Sequence, residues 1–295
     1  MNLKDSASYV FLAIVWGLSF LFMLRGVEAF GWVGVVTFRS FIAAATLFLV
    51  AAATGRRMNF SAGWSHFAVV GATTVAGQLI GLCFAMPLIG TAMSAILVAT
   101  IPLFSMLIAR LWGIEQLTRR HHLGLVLGFS GMVVLVGFPA VPFTPSFALG
   151  CATTLFACLC AAYGSCYVNY KLKGVSSFDT TAGAFLAGGI ITLPLIYIVP
   201  VPGTPQPVDY LYLFVLGAIM SALTYVMYFR LVGTIGATRA ISVEFAVTVV
   251  AVLVGAVVLH EPLSAVQIAG ATTIVAGCML VVGLVPKLRR GARMP

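Results

Sequence analysis

Residues 90–137 read GTAMSAILVATIPLFSMLIARLWGIEQLTRRHHLGLVLGFSGMVVLVG, and residues 236–283 read GATRAISVEFAVTVVAVLVGAVVLHEPLSAVQIAGATTIVAGCMLVVG. The second stretch lies 146 residues after the first and aligns with it without a gap. Glu115-x-Leu117 falls on Glu261-x-Leu263, Gly124 on Gly270, Gly131 on Gly277, and Gly137 on Gly283. The same offset sets Gly71-Ala72 on Gly217-Ala218, and an offset of 147 sets Trp16-Gly17 against Tyr163-Gly164. Repetition at a fixed spacing constrains architecture more firmly than local propensity does. The chain therefore reads as two related halves, 1–140 and 145–290, ending in a basic tail at 287–295. A functional site is expected where the halves face each other.

Working outward, the 295 residues are 61% hydrophobic and only 8% charged, with a mean hydropathy of +1.12. A soluble domain carries about 25% charged residues. So few charges cannot cover so much apolar surface in water, so the surroundings are lipid. The net charge of +9 comes with no soluble basic domain and no aromatic-basic motif, which argues against nucleic acid as a partner. In a membrane protein, surplus Lys and Arg mark cytoplasmic loops. Cys83, Cys151, Cys158, Cys160, Cys166 and Cys278 all sit in apolar runs without metal-ligand spacing to His, and read as small packing residues. No metal and no cofactor is expected. The first apolar run lacks a small-residue cleavage site and reads as a span rather than a signal peptide.

A helix needs about 20 apolar residues to cross a bilayer. Such runs occur at 7–26, 33–53, 64–86, 91–112, 121–138, 147–169, 178–199, 210–230, 236–259 and 264–285. Breaks fall at Arg56-Arg57, Pro87, Arg119-Arg120, Pro139 to Pro145, Lys171 to Ser177, Pro200 to Pro207 and His260-Glu261-Pro262. The predicted fold class is an all-α integral membrane protein with ten transmembrane helices. Placing the N-terminus inside puts fourteen of the sixteen Lys and Arg residues in cytoplasmic segments, with Arg25 outside and Arg39 within a span. Both termini are then cytoplasmic. Five helices per half is an odd number, so the two copies form inverted five-helix repeats. Inverted repeats are the mark of secondary transporters that open a central site to either side in turn. The same duplication is compatible with a channel.

Several motifs resemble the EamA family of the drug/metabolite transporter superfamily. They are Trp16-Gly17-Leu18-Ser19-Phe20, Phe38-Arg39, Pro102, and the repeated Glu-x-Leu with its spaced glycines. The resemblance covers essentially the whole chain and is closest to the YddG-type branch. It implies a bacterial inner-membrane carrier that exports amino acids, aromatic and other neutral ones, by alternating access. The alternative is a drug or metabolite efflux carrier of the same fold. Thr248 departs from the pattern by standing where a repeat of Pro102 would fall.

The residues themselves supply candidate roles. Charge within a bilayer costs about 2.5–3.5 kcal/mol on insertion scales, so Arg39 and Glu244 are functional candidates for gating or coupling. Each lies about six residues into its span from opposite sides, which separates their depths by roughly 12 Å. Direct pairing is not expected. Arg39 would face an outer vestibule and Glu244 an inner one, with an ion pair to Arg239 as the local alternative for Glu244. Pro102 removes a backbone hydrogen bond and can bend the fourth span. Substrate-binding candidates are the mid-span Trp16, Gln78, Thr100, Tyr163, Thr224, Tyr225 and Thr248. Together they would make an apolar, aromatic cavity with a few hydrogen-bond groups, suited to a small zwitterion with a hydrophobic side chain.

The small-residue faces around Gly124–Gly128–Gly131 and Gly270–Gly277 suit close helix packing, within the chain or in a homodimer. No obligatory protein partner is implied, and monomer and homodimer both fit. Catalysis is not expected: His66, His121, His122 and His260 sit at span ends, with no His-Glu-x-x-His pair and no Gly-x-Ser-x-Gly elbow. No Gly-x-x-x-x-Gly-Lys-Ser/Thr loop for a nucleotide occurs either.

Overall fold

The fold is that of a computed structural model describing residues 3–113, 118–137, 142–261 and 263–282. Glu115, Leu117, Pro139, Pro262, Gly283 and the basic tail lie outside these segments, as do the side chains of Arg239 and Cys278. The regular structure of the described residues is all helix, without a strand. We number the helices α1 (3–30), α2 (32–53), α3 (Trp64–Ile89), α4 (Thr91–Leu111), α5 (Arg119–Gly137), α6 (Pro145–Lys171), α7 (Ser177–Tyr197), α8 (Pro207–Ile235), α9 (237–258) and α10 (Ala265–Val282). Helices α1 and α2 are separated only by Gly31, at φ 73° and ψ 163°, a conformation that side chains disfavour. Six stretches are long and apolar enough to cross a bilayer: Lys4–Ala53, α3, α4, α6, α7 and α8. The protein is a multi-pass membrane protein. Its outer face carries Leu49, Val126, Val257 and Tyr197 at 66–91% exposure, as a lipid-facing surface requires.

Two helices end differently from the sequence reading. Pro87 was expected to break the third span, yet α3 continues through it to Ile89. A proline removes one amide and crowds one carbonyl, and so close to a C-terminus little of the hydrogen-bond ladder remains to be lost. The stop comes instead at Gly90, whose φ of 81° and ψ of 164° cannot continue a helix. In α4 the helix is interrupted at Ala99–Thr100 and restarts at Ile101 with Pro102 in its first turn. Proline is pre-organised for that place because the first-turn amides have no intrahelical acceptor. Pro102 thus starts a half-helix. In α9 the interruption falls at Ser242, and Thr248 sits within regular helix.

Two helix starts are satisfied by local side chains. Thr144 Oγ1 accepts from the Phe147 amide at 3.1 Å at the head of α6. Ser264 and Gln267 exchange reciprocal bonds of 3.0 and 3.1 Å at the head of α10. Each supplies a partner to first-turn amides that have none within the helix.

Glycines set where helices meet. A Cβ placed on Gly131 in α5 would lie 2.8 Å from both Gly270 O and Ile274 N in α10. One placed on Gly277 in α10 would lie 2.7 Å from Gly124 O and 2.5 Å from Gly128 N in α5. The contacts are reciprocal at the 146-residue offset. The glycine face expected to serve internal packing or a dimer is therefore used within the chain, with no room for a side chain. A second exchange occurs at repeat-related π-helical stretches, Gly71–Gly77 in α3 and Val215–Leu223 in α8. Gly71 abuts the backbone of α7 near Ala184 O, whereas Gly217 abuts α2 near Arg39 O and Ile42. Helices of each half thus pack on helices of the other, and the core lies between them.

Candidate functional site

At this core, α1, α2, α3, α4, α8 and α9 enclose one narrow cavity of about 40 Å³. Ligand pockets generally hold roughly 300–1,000 Å³, so the walls are nearly closed on one another. The lining includes Trp16, Arg39, Gln78, Tyr225 and Glu244. These five sequence candidates thus meet at one place. Ser19 and Phe20, from the same motif as Trp16, join them, as do Met23 and Val98, which no sequence pattern marks.

Arg39 is 2% exposed. Its Nε and Nη2 donate to Ser221 Oγ at 3.0 and 2.8 Å. Ser221 Oγ in turn donates to Leu216 O at 2.7 Å, five residues back in the π-helical stretch of α8. The wider π turn places this hydroxyl between a helix carbonyl and a guanidinium. Arg39 Nη1 remains buried without a partner. Ser221 is a neighbour of Arg39 that the sequence does not announce, since a serine among apolar residues carries no periodic signal.

Glu244 is 7% exposed and lines the same cavity. Arg25 pairs with Glu28 at 3.1 Å on the surface, and no such ion pair joins Arg39 to Glu244. Arg39 and Glu244 therefore do not pair directly. The expectation of separate outer and inner vestibules gives way, because one cavity reaches both.

The aromatic wall is held in place. Trp16 Nε1–H donates to Thr224 Oγ1 at 2.9 Å, and Thr224 Oγ1 donates to Met220 O at 2.8 Å. Trp16 packs at 5.2 Å from Tyr225 and 5.1 Å from Tyr228, measured between ring centroids. Tyr228 OH meets Ser165 Oγ at 2.9 Å. Thr224 thus orients the indole rather than lining the cavity.

Three expected residues stand elsewhere. Thr100 Oγ1 donates to Leu97 O at 2.7 Å at the interruption of α4. Thr248 Oγ1 lies 2.7 Å from Glu244 O and 2.9 Å from Ala95 O, tying α9 to α4. Both hydroxyls are consumed by backbone. Tyr163 lies in a separate open cleft of about 320 Å³ with Trp112, Tyr167, Tyr170 and Lys171. The sequence match that paired it with Trp16 does not bring the two residues to one place.

The glutamate of the second Glu-x-Leu motif has a defined place. Glu261 Oε1 accepts from the Thr91 amide and Oε2 from the Ala92 amide, each at 2.6 Å. The carboxylate caps the start of α4, where unsatisfied amides and the helix dipole favour negative charge. It thereby ties the α9–α10 turn in one half to α4 in the other.

Similar proteins agree with this architecture. A solved crystal structure superposes over 96% of this chain and 99% of its own, with a TM-score of 0.71 at 17% identity, which speaks to the fold alone. Two curated proteins are similar along nearly their whole length. One is an uncharacterized transporter, YoaV, of Bacillus subtilis, 21% identical over 94% of this chain and 96% of its own. The other is an uncharacterized transporter of Archaeoglobus fulgidus, 24% identical over 90% of this chain and 94% of its own. The pattern described as the EamA-like transporter family matches twice, over residues 7–137 and 148–283. With both halves matched, the chain belongs to the EamA-like transporter family and is a membrane transporter, not an enzyme.

Proposed function

We propose that this transporter is a secondary carrier that exports amino acids, aromatic and other neutral ones, across the bacterial inner membrane. Ten spans form two inverted five-helix repeats, 1–140 and 145–290, with both termini cytoplasmic. The reciprocal glycine contacts between α5 and α10 support a two-fold relation between the halves. The Lys and Arg asymmetry supports the orientation.

The observation that carries the substrate reading is the cavity between the halves. It joins one buried cation, one buried carboxylate and an aromatic wall. Buried charges in a membrane core mark substrate or ion pathways. The aromatic rings suit an indole or phenyl side chain. At about 40 Å³ the cavity is too small for such a ligand, so transport requires the halves to part. Alternating access supplies that opening, first to one side and then to the other.

The test is counterflow in liposomes preloaded with tryptophan, with a trace of labelled tryptophan outside. A transient overshoot that other neutral amino acids compete away is the expected result. Channels and leaks dissipate the gradient without an overshoot. A flat trace with folded protein across all neutral amino acids overturns the substrate reading, and hydrophobic cations become the next substrates to try.

A further inference from the structure

We propose that Arg39 and Glu244 divide the head of a zwitterionic amino acid between them. Arg39 takes the α-carboxylate through Nη1, and Glu244 takes the α-ammonium. This rests on the amino-acid reading above and deepens it by assigning each charge of the substrate to one residue.

Three observations converge. First, Arg39 is built in as a fixed cation with one donor group left over. Ser221 holds Nε and Nη2, and Nη1 alone lacks a partner. A buried donor without a partner is costly and calls for a reason. Second, Glu244 lines the same cavity, and no described donor or cation meets its carboxylate. A buried opposite pair ordinarily satisfies itself. Here the two charges face one space and stay apart, so a ligand that carries both opposite charges on one carbon satisfies both at once. A bare amine leaves Arg39 unmet, and a bare acid leaves Glu244 unmet. Third, the repeat makes the polarity one-sided. At the 146-residue offset Glu244 corresponds to Val98, which lines the cavity too, and Arg39 corresponds to the buried Phe185. Each charge occurs once in a scaffold that is otherwise doubled, so the head group is received in one orientation. The side chain then meets the aromatic wall at Trp16, whose indole N–H is already taken by Thr224.

The test compares three competitors of labelled tryptophan in proteoliposomes: tryptophan, tryptamine, which lacks the carboxylate, and indole-3-propionate, which lacks the amine. With the wild-type protein, each truncated competitor should be weaker than tryptophan by about tenfold or more, the loss of one charge-assisted contact. In Arg39→Gln the gap between tryptophan and tryptamine should close while the gap to indole-3-propionate remains. In Glu244→Gln the opposite gap should close. A purely structural role weakens all competitors alike in either variant, and that result overturns the assignment while tryptophan counterflow by the wild type leaves the amino-acid reading intact. Crossed gaps overturn it as well. Should Arg39→Gln fail to fold, the wild type decides: equal competition by all three compounds refutes the proposal. Absence of any amino-acid counterflow by folded wild type removes the substrate reading itself, and the assignment with it.

Discussion

Two glutamates bracket helix α9, and they live differently. Glu261, just past its end, has both carboxylate oxygens 2.6 Å from backbone amides at the head of α4. Glu244, near its start, faces a cavity and meets no described donor. In lipid a carboxylate needs a partner, and the fold supplies one only for Glu261. The contrast teaches how to sort membrane charges: one saturated by backbone holds helices together, and one left open is where a ligand is to be sought.

That comparison breaks or sharpens by experiment. Glu261→Ala removes two charge-assisted hydrogen bonds and leaves two helix-end amides bare. It should cost about 3 kcal/mol of stability, read as a lower unfolding midpoint in detergent. Should the midpoint stay put while transport fails, Glu261 belongs with Glu244, and the sorting is wrong. Glu244→Gln should cut tryptophan counterflow about tenfold, equivalent to about 1.4 kcal/mol, and leave the unfolding midpoint unchanged or higher. A collapsed midpoint with normal flux in the folded fraction would make this residue structural after all. The smallest effect is expected at Thr224→Val, which keeps shape but orphans the Trp16 indole N–H. Tryptophan affinity should fall by roughly fivefold, about 1 kcal/mol, without an effect on the relative strength of tryptamine and indole-3-propionate. A change in that ratio would mean that Thr224 touches the head group itself.

How legible this was in the chain depends on what lipid punishes. Charges and mid-span polar groups are expensive there, which is why Arg39, Glu244, Gln78 and Trp16 stood out and why they meet at one cavity. The all-helical, membrane-spanning character followed from composition and run length in the same way. Hydroxyls are the weak signal. Thr100 and Thr248 looked like ligands for a substrate, yet a threonine in a helix satisfies itself on a nearby carbonyl. Ser221 looked like nothing and holds the guanidinium, because its role depends on a π-helical turn that no residue spacing announces. Tyr163 shares a motif with Trp16 in sequence, yet it lies in the cleft beside Trp112, because a two-residue match does not determine which side of its helix faces the core. Pro87 was taken for a terminator, although Gly90 three residues later ends the helix.

The glycine seam between α5 and α10 carries a last consequence. Its contacts follow the rule of a symmetric pair: Gly131 presses on Gly270 and Ile274 as Gly277 presses on Gly124 and Gly128. In a dimer of identical subunits one codon writes both sides of such a contact, and every change is made twice. A fused chain writes each side separately. It can alter one contact and keep its mirror image, a freedom that two identical subunits never have.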